Sequence, residues 1–432
     1  MLIGAALMVG LQVISIQSAF FSINLDVILF LFSMFSIVSA LDRSGALRLL
    51  ALKMLSRAKS MDTFLFIFIV GMGILSAFLV NDTVALLGVP IVIHISKQLF
   101  ITGSNAKALF ISLAFAVSIG SVMTPIGNPQ NLLIATLSGI SFPFITFMKW
   151  LAIPTIINLV ITYFILRRYF RKDLFLMQNY FNQNNTNTVQ TNVGDKLPAG
   201  SSPSSYSPSS PAPPLTSNII ANPKLAKISI LMLVVTIVGS IISEALHLFF
   251  DIATFSISVI AAFGATTLYA LSKERKEILL NVDYSVLIFF AAMFVFTSGL
   301  WSSGLVYVIL SQIPNPASVG NDLLQTNAII SAISIVMSQI LSNVPFVALY
   351  ISVMFENGFM GDDTSQWIML AAASTIAGNL TIFGAASTII IIEAAESRGV
   401  KQAFSFFEFF KVGSIVTASN IAVYYFFIIF FG

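Results

Sequence analysis

Four short stretches put polar, helix-breaking residues inside otherwise apolar sequence. They are V-N-D-T at 80–83, T-P-I-G-N-P-Q-N at 124–131, S-N-V-P at 342–345 and A-G-N-L-T-I-F-G-A-A-S-T at 377–388. Asn81, Asn128, Asn131, Asn343 and Asn379 offer both hydrogen-bond donors and acceptors, and Thr83, Thr124, Thr381, Ser387 and Thr388 add hydroxyls. Pro125 and Pro129 lack amide protons and free the carbonyls one turn back. Gly127 and Gly384 permit a left-handed turn or a close backbone approach. Amides freed at a helix N-terminus suit an anion, while freed carbonyls suit Na⁺ or a proton carrier. This chemistry captures and releases a small ion; it makes and breaks no covalent bond. A Pro/Gly break can also be a mere packing kink, but four breaks at matching places argue against that reading.

Asp82 is the one acid that falls deep in an apolar region. An intramembrane carboxylate carrying a proton or cation would couple ion movement to solute movement. The competing reading makes it an N-cap for the helix that follows. Lys149 and Lys411 lie within two turns of a span end and read as snorkelling to the interface. Glu393 and Glu396 read as a solvated face near a cytoplasmic mouth.

The elements that must hold these residues are set by composition. Of 432 residues, 57% are hydrophobic and 9% charged, against a usual charged fraction near 25%, so the chain is a polytopic, all-α membrane protein. Zero cysteines exclude disulfides and thiolate metal sites, and two histidines leave no histidine cluster. No G-x-S-x-G, H-E-x-x-H or Walker motif is present, which argues against an enzyme. The first segment lacks a basic n-region and reads as a retained helix rather than a signal peptide.

Apolar runs predict helices near 2–20, 25–42, 63–80, 84–97, 108–138, 143–168, 227–245, 252–272, 283–300, 326–341, 345–356, 366–393 and 404–430. Residues 179–223, rich in Asn, Ser and Pro, predict a disordered cytoplasmic linker between a first membrane repeat at 1–178 and a second at 224–432. If 63–97 and 326–356 are re-entrant hairpins and 108–138 and 366–396 are broken helices, about nine full spans remain. The basic residues outside the spans then fall on one side, making the N-terminus cytoplasmic and placing the C-terminus outside. Counting both hairpins as full crossings keeps the same phase.

The halves repeat. F-M-K-W-L-A-I-P-T (147–155) matches F-F-K-V-G-S-I-V-T (409–417) at an offset of 262, and S-A-F-L-V-N-D-T (76–83) meets S-Q-I-L-S-N-V-P (338–345) at the same offset. The charge assignment runs the halves in opposite directions, a recurring plan of secondary transporters. Segment 2–20 pairs with 252–272, so the first half has no counterpart of 227–245.

F-L-V-N-D-T-V-A-L-L-G-V-P-I, I-G-S-V-M-T-P-I-G-N-P-Q-N-L, L-S-N-V-P-F-V-A and S-T-I-A-G-N-L-T-I-F-G-A-A-S-T together resemble the motifs of the ion transporter superfamily, specifically its ArsB/NhaD-type permeases and related anion permeases. The likeness covers nearly the whole chain outside the linker. It implies two re-entrant hairpins and two broken helices around a central site, worked by an elevator-like or rocking motion. It also implies that residues 81–83, 127–131, 342–343 and 378–387 surround solute and coupling ion, which adds Ser342 and Gly378 to the residues above.

The expected function is secondary active transport of a small anion or arsenite-like solute across the cell membrane, coupled to H⁺ or Na⁺. Na⁺/H⁺ antiport is the alternative, followed by a passive channel and an intramembrane enzyme. If sodium binds, Asn81, Asn128, Asn343 and Asn379 are its candidate ligands; no other metal and no cofactor are expected. Membrane lipid is a partner and nucleic acid is not, while a homodimer and a separate ATPase subunit are left open.

Overall fold

The computed structural model describes residues 1–46, 60–98, 106–178, 222–251, 254–306, 322–400 and 402–431, with positions 49, 53 and 58 besides. Among the described residues every regular element is helical. The first half contains α1 (Leu2–Gly10), α2 (Ile16–Phe21), α3 (Leu25–Ser44), α4 (Met61–Phe78), α5 (Asn81–Gln98), α6 (Lys107–Gly120), α7 (Pro129–Leu137) and α8 (Pro143–Tyr169). The second contains α9 (Pro223–Phe250), α10 (Ile257–Leu271), α11 (Arg275–Leu280), α12 (Tyr284–Ser302), α13 (Leu323–Leu341), α14 (Asn343–Glu356), α15 (Thr364–Ala377), α16 (Ala386–Glu396) and α17 (Phe406–Phe430). Seven of these, α3, α4, α8, α9, α12, α13 and α17, are long and apolar enough to cross a membrane.

Polar residues at the ends of apolar runs fix where the helices start. Asn24, Ser60, Asn222, Ser256 and Asp322 each accept a backbone amide of the first turn, and Ser405 forms a full capping box with Glu408. Pro143 and Pro223 open α8 and α9, where a missing amide costs nothing.

The first segment departs from expectation. Residues 2–20 do not form one helix; α1 stops at Gly10 and α2 starts after Ser15. Gln12 takes a positive φ of 58°, and the Ser15 hydroxyl accepts the Ser18 amide at 3.0 Å, restarting the chain as a second helix. The breaks expected within 108–138 and 366–393 are present, whereas the short α11 was not expected. The linker, apart from Asn222 and Pro223, lies outside the described residues.

Helix packing follows one pattern twice. α4 lies along α6 and α13 along α15; α5 lies along α16 and α14 along α7; α10 lies along α3 and α1 along α12. α8 and α17 pack on each other. α6 is buried on every face, as is nearly all of α15, which is why both are apolar all round. The helices divide into two groups, α4–α8 with α13–α17, and α1–α3 with α9–α12, whose main mutual contacts are α3 with α7, α8 with α9, and α12 with α14. In the α8–α9 contact, the buried Glu244 carboxylate accepts the Phe144 and Ile145 amides at 2.9 and 2.8 Å, so α9 caps α8.

At the α4–α6 crossing the backbones touch: a Cβ on Gly120 would lie 2.0 Å from the Gly73 carbonyl oxygen. Ser76 reinforces the crossing by donating to the Val117 carbonyl at 2.7 Å. Gly120→Ala should therefore force the helices apart at a cost of about 1–3 kcal/mol. The readout is a lower Tm of the purified protein in detergent; an unchanged midpoint would show that the crossing is not close-packed.

Candidate functional site

The first break follows from its two prolines. α6 ends at Gly120, a tight turn covers Ser121–Met123, Thr124 is extended, and α7 starts at Pro129. Pro125 deprives the Ser121 carbonyl of its helical amide. Asn128 and Asn131 supply the replacement: their Nδ2 groups lie 3.0 and 3.2 Å from that carbonyl. Asn131 Nδ2 is also 3.1 Å from the Val122 carbonyl and 3.2 Å from that of Thr124, and Asn128 Oδ1 accepts the Asn131 amide at 2.8 Å. The Thr124 hydroxyl donates to the Ala77 carbonyl, and the Gly127 carbonyl accepts the Asn81 amide at 2.9 Å. Gly127 provides close approach, not a left-handed turn, since a Cβ there would lie 2.3 Å from the Ser121 oxygen. This break thus satisfies its own freed groups.

The second break does so only in part. Aligning Gly384 with Gly127 sets Ala385 where Asn128 stands and Thr388 where Asn131 stands. Ala385 is the N-cap of α16 and has no side-chain acceptor, so only its carbonyl receives an amide, that of Thr388 at 3.2 Å. Gln339 of α13 reaches across instead, donating to the Ala377 carbonyl at 2.8 Å and accepting the Thr381 hydroxyl at 2.8 Å. Gly384 leaves room for it, because a Cβ there would lie 3.0 Å from Gln339 Oε1. Several buried atoms nearby have no hydrogen-bond partner: Asn343 Oδ1, both side-chain polar atoms of Asn379, Ser387 Oγ and Thr388 Oγ1.

The helix tips meet these breaks. Two residues, Leu79 and Val80, join α4 to α5, and Ser342 alone joins α13 to α14. Asn81 Oδ1 accepts the Asp82 amide at 2.9 Å, so Asn81 does the local capping and Asp82 Oδ1 is buried without a partner. Thr83 is half-buried beside it. Ser342 holds φ +65°, ψ 160°, a conformation that suits glycine, and gives α14 no side-chain cap. The Asn343 amide reaches Gly378, where a Cβ would lie 2.9 Å from its Nδ2.

A side chain absent from the expected set joins the two breaks. The Thr375 hydroxyl, on α15, lies 3.3 Å from Asn128 Nδ2, 3.2 Å from Gln130 Nε2 and 3.4 Å from Asn131 Oδ1. Its carbonyl accepts the Ser118 hydroxyl at 3.3 Å. Thr375, with the Asn81–Gly127 and Asn343–Gly378 contacts, thus brings both breaks and both helix tips into one largely buried region. Lys149 and Lys411 are exposed and lie outside it, as do the exposed Glu393 and Glu396.

The family profile described as CitMHS, citrate transporter, matches residues 1–377. The chain belongs to the CitMHS family. The silicon efflux transporter LSI3 of Oryza sativa subsp. japonica is 31% identical over 441 residues, covering 93% of this chain and 86% of its own length. A 46 kDa membrane protein of Mycobacterium leprae is 28% identical over 432 residues, covering 98% and 91%. A Dictyostelium discoideum protein named as an arsB transporter is 27% identical over 481 residues, covering 95% and 83%. The resemblance to ArsB-type permeases holds, and this CitMHS-family chain is a multi-pass membrane transporter, not an enzyme.

Sequence reasoning missed Thr375 and Gln339 in this transporter. Gln130 falls within the expected 127–131, whereas Thr375 and Gln339 sit inside helices, where nothing marks them apart. Asn131→Ala should remove a donor from three carbonyls, of which Ser121 keeps Asn128 and Thr124 keeps the Gly127 amide, and cost about 1–3 kcal/mol. Asn379→Ala removes a buried amide that bonds nothing, so its Tm should stay near that of the unaltered protein. Thermal melts of the pair check this; equal destabilisation would mean that the two breaks are not chemically different.

Proposed function

We propose that this CitMHS-family protein is a secondary active transporter of a small anion or arsenite-like, oxygen-rich solute, coupled to H⁺ or Na⁺. One observation carries the reading. α14 and α16 both start without a side-chain cap, next to the unpartnered polar atoms of Asn343, Asn379, Ser387 and Thr388. Free amides at two helix N-termini can donate to solute oxygens, and the dipoles of both helices favour negative charge there. The Asn379 amide and the two hydroxyls can match donors or acceptors on the same solute.

Asp82 is the group we assign to coupling. A carboxylate that bonds nothing in the protein can take up a proton or cation when the solute binds and release it when the solute leaves. The names of two relatives, silicon efflux transporter and arsB, attach this family to small hydroxylated solutes as well as to citrate.

The repeated packing pattern supports two inverted repeats, 1–178 and 224–432, joined by the linker 179–223, with α4–α5 and α13–α14 as re-entrant hairpins. With the basic residues inside, the N-terminus is cytoplasmic and the C-terminus outside. The sparse contacts between the two helix groups support movement of the group that holds the breaks against the group that does not.

In proteoliposomes offered citrate, arsenite or silicic acid under imposed pH or Na⁺ gradients, the wild type should accumulate one solute against its gradient. Asp82→Asn should reduce that accumulation to the level of protein-free vesicles while inserting and melting normally. Undiminished concentrative uptake by the variant would remove Asp82 from coupling. Flux driven by ΔpH but indifferent to every solute would replace this reading with Na⁺/H⁺ exchange.

A further inference from the structure

The α8–α17 interface is polar at a depth where both helices are buried. Thr155, Asn158 and Thr162 line one side and Thr417, Asn420 and Tyr424 the other, none more than 4% exposed. Their spacings of three and four residues put each set on a single helix face. Two rungs of this ladder are fixed by hydrogen bonds: Thr155 Oγ1 to Tyr424 OH at 2.7 Å, and Asn158 Nδ2 to the Asn420 carbonyl at 3.2 Å. Moving up α8 moves down α17, so the helices run antiparallel. The next turn along α8 then brings Thr162 opposite Thr417.

That third rung is not closed. Both hydroxyls lack a partner, as do Asn158 Oδ1 and the two polar side-chain atoms of Asn420. The offset of 262 residues explains why. It relates Thr155 to Thr417, Asn158 to Asn420 and Thr162 to Tyr424, so the first and third rungs are counterparts. In one, the phenol of Tyr424 spans the interface. In the other, a threonine stands where the phenol would be, and neither hydroxyl reaches a partner.

The groups left over are four oxygens and one amide nitrogen, with no carboxylate among them. Oxygen donors suit a hard cation. A single charge is the most that neutral ligands can compensate in a low-dielectric interior. A second observation points the same way. One turn before Thr417, the α15 C-terminus crosses α17 at Gly413, where a Cβ would lie 2.1 Å from the Asn379 carbonyl oxygen and 3.2 Å from that of Leu380. A helix C-terminus carries partial negative charge, and Thr388 cannot cover these carbonyls as Asn131 covers those of the first break.

We propose that Asn158, Thr162, Thr417 and Asn420 form a sodium site in the α8–α17 interface, about one helical turn from the second break. It is separate from the solute groups at α14 and α16, and it stands whether or not the solute reading does. The purified full chain in detergent tests it by thermal melts in NaCl, KCl and choline chloride at equal ionic strength. Tm should rise by several degrees in sodium alone, saturating with concentration as expected for a bound ligand. Thr417→Val should flatten the response. Thr162→Tyr should flatten it too and raise Tm in sodium-free buffer, because its phenol would close the rung as Tyr424 does. Asn379→Ala, at the solute site, should keep the response. Equal midpoints of the wild type in all three salts would mean that the third rung holds water only and would overturn the proposal. So would a sodium response that persists in both Thr417→Val and Thr162→Tyr, which would place the ion elsewhere.

Discussion

A backbone amide or carbonyl without a partner costs several kcal/mol in a hydrocarbon environment, so every interruption of a membrane helix must be answered by another group. This chain interrupts two, and it answers them differently. At the first break, Asn128 and Asn131 fold back on the carbonyls of Ser121, Val122 and Thr124. At the second, the equivalent positions are Ala385 and Thr388, and Gln339 covers only the Ala377 carbonyl. A similar stretch of sequence thus becomes a closed scaffold in one half and a set of unmet donors and acceptors in the other. A ligand bound at the unmet set would lower the free energy of the protein, because it would supply bonds that folding left open.

The scaffold is only useful if it holds the open half in place, and Thr375 provides that link. Its hydroxyl lies within reach of Asn128, Gln130 and Asn131, three residues before the second break begins at Gly378. α6 and α15, which lead into the two breaks, are enclosed on nearly all sides, and close approaches at Gly73–Gly120 and at Gly413 leave little slack around them. Ser342 adds a strained φ at the tip between α13 and α14, a conformation that persists only when its surroundings fix it. The starts of α14 and α16, neither with a capping side chain, both come close to Gly378, where a Cβ would lie 2.9 Å from Asn343 Nδ2 and 2.7 Å from Ala385 Cβ.

Much of this was legible in the residues themselves. Prolines and glycines inside apolar runs marked both breaks, and Ser, Asn or Asp before the runs marked helix starts. The chemistry of Asn128 and Asn131 was legible too, but not its direction. An asparagine beside a broken helix can face a solute or the break's own carbonyls, and only the folded chain decides. Thr375 and Gln339 were invisible because each sits in a run that reads as plain helix, and their partners lie 244–247 and 38–42 residues away. The split of residues 2–20 was missed for a local reason. Hydropathy sums over Gln12–Ser15, whereas a positive φ and one serine cap end and restart the helix.

The two groups of helices give the polar sites a common frame. α8 and α17 pack on α6 and α15 respectively, so the ladder from Thr155 to Tyr424 belongs to the group that carries both breaks. A cation held there would move with the solute rather than past it. The boundary with the other group is polar at two points. Glu244 of α9 holds the first amides of α8, and Asp283, which caps α12, lies within electrostatic reach of Asp82. The first contact ties one end of α8 to the other group of helices. The second sets two carboxylates on the two sides of that boundary, where like charges would repel. On the coupling role proposed for Asp82, its load and the relative position of the two groups would act on each other through that repulsion, which is the minimum that ion-driven transport requires.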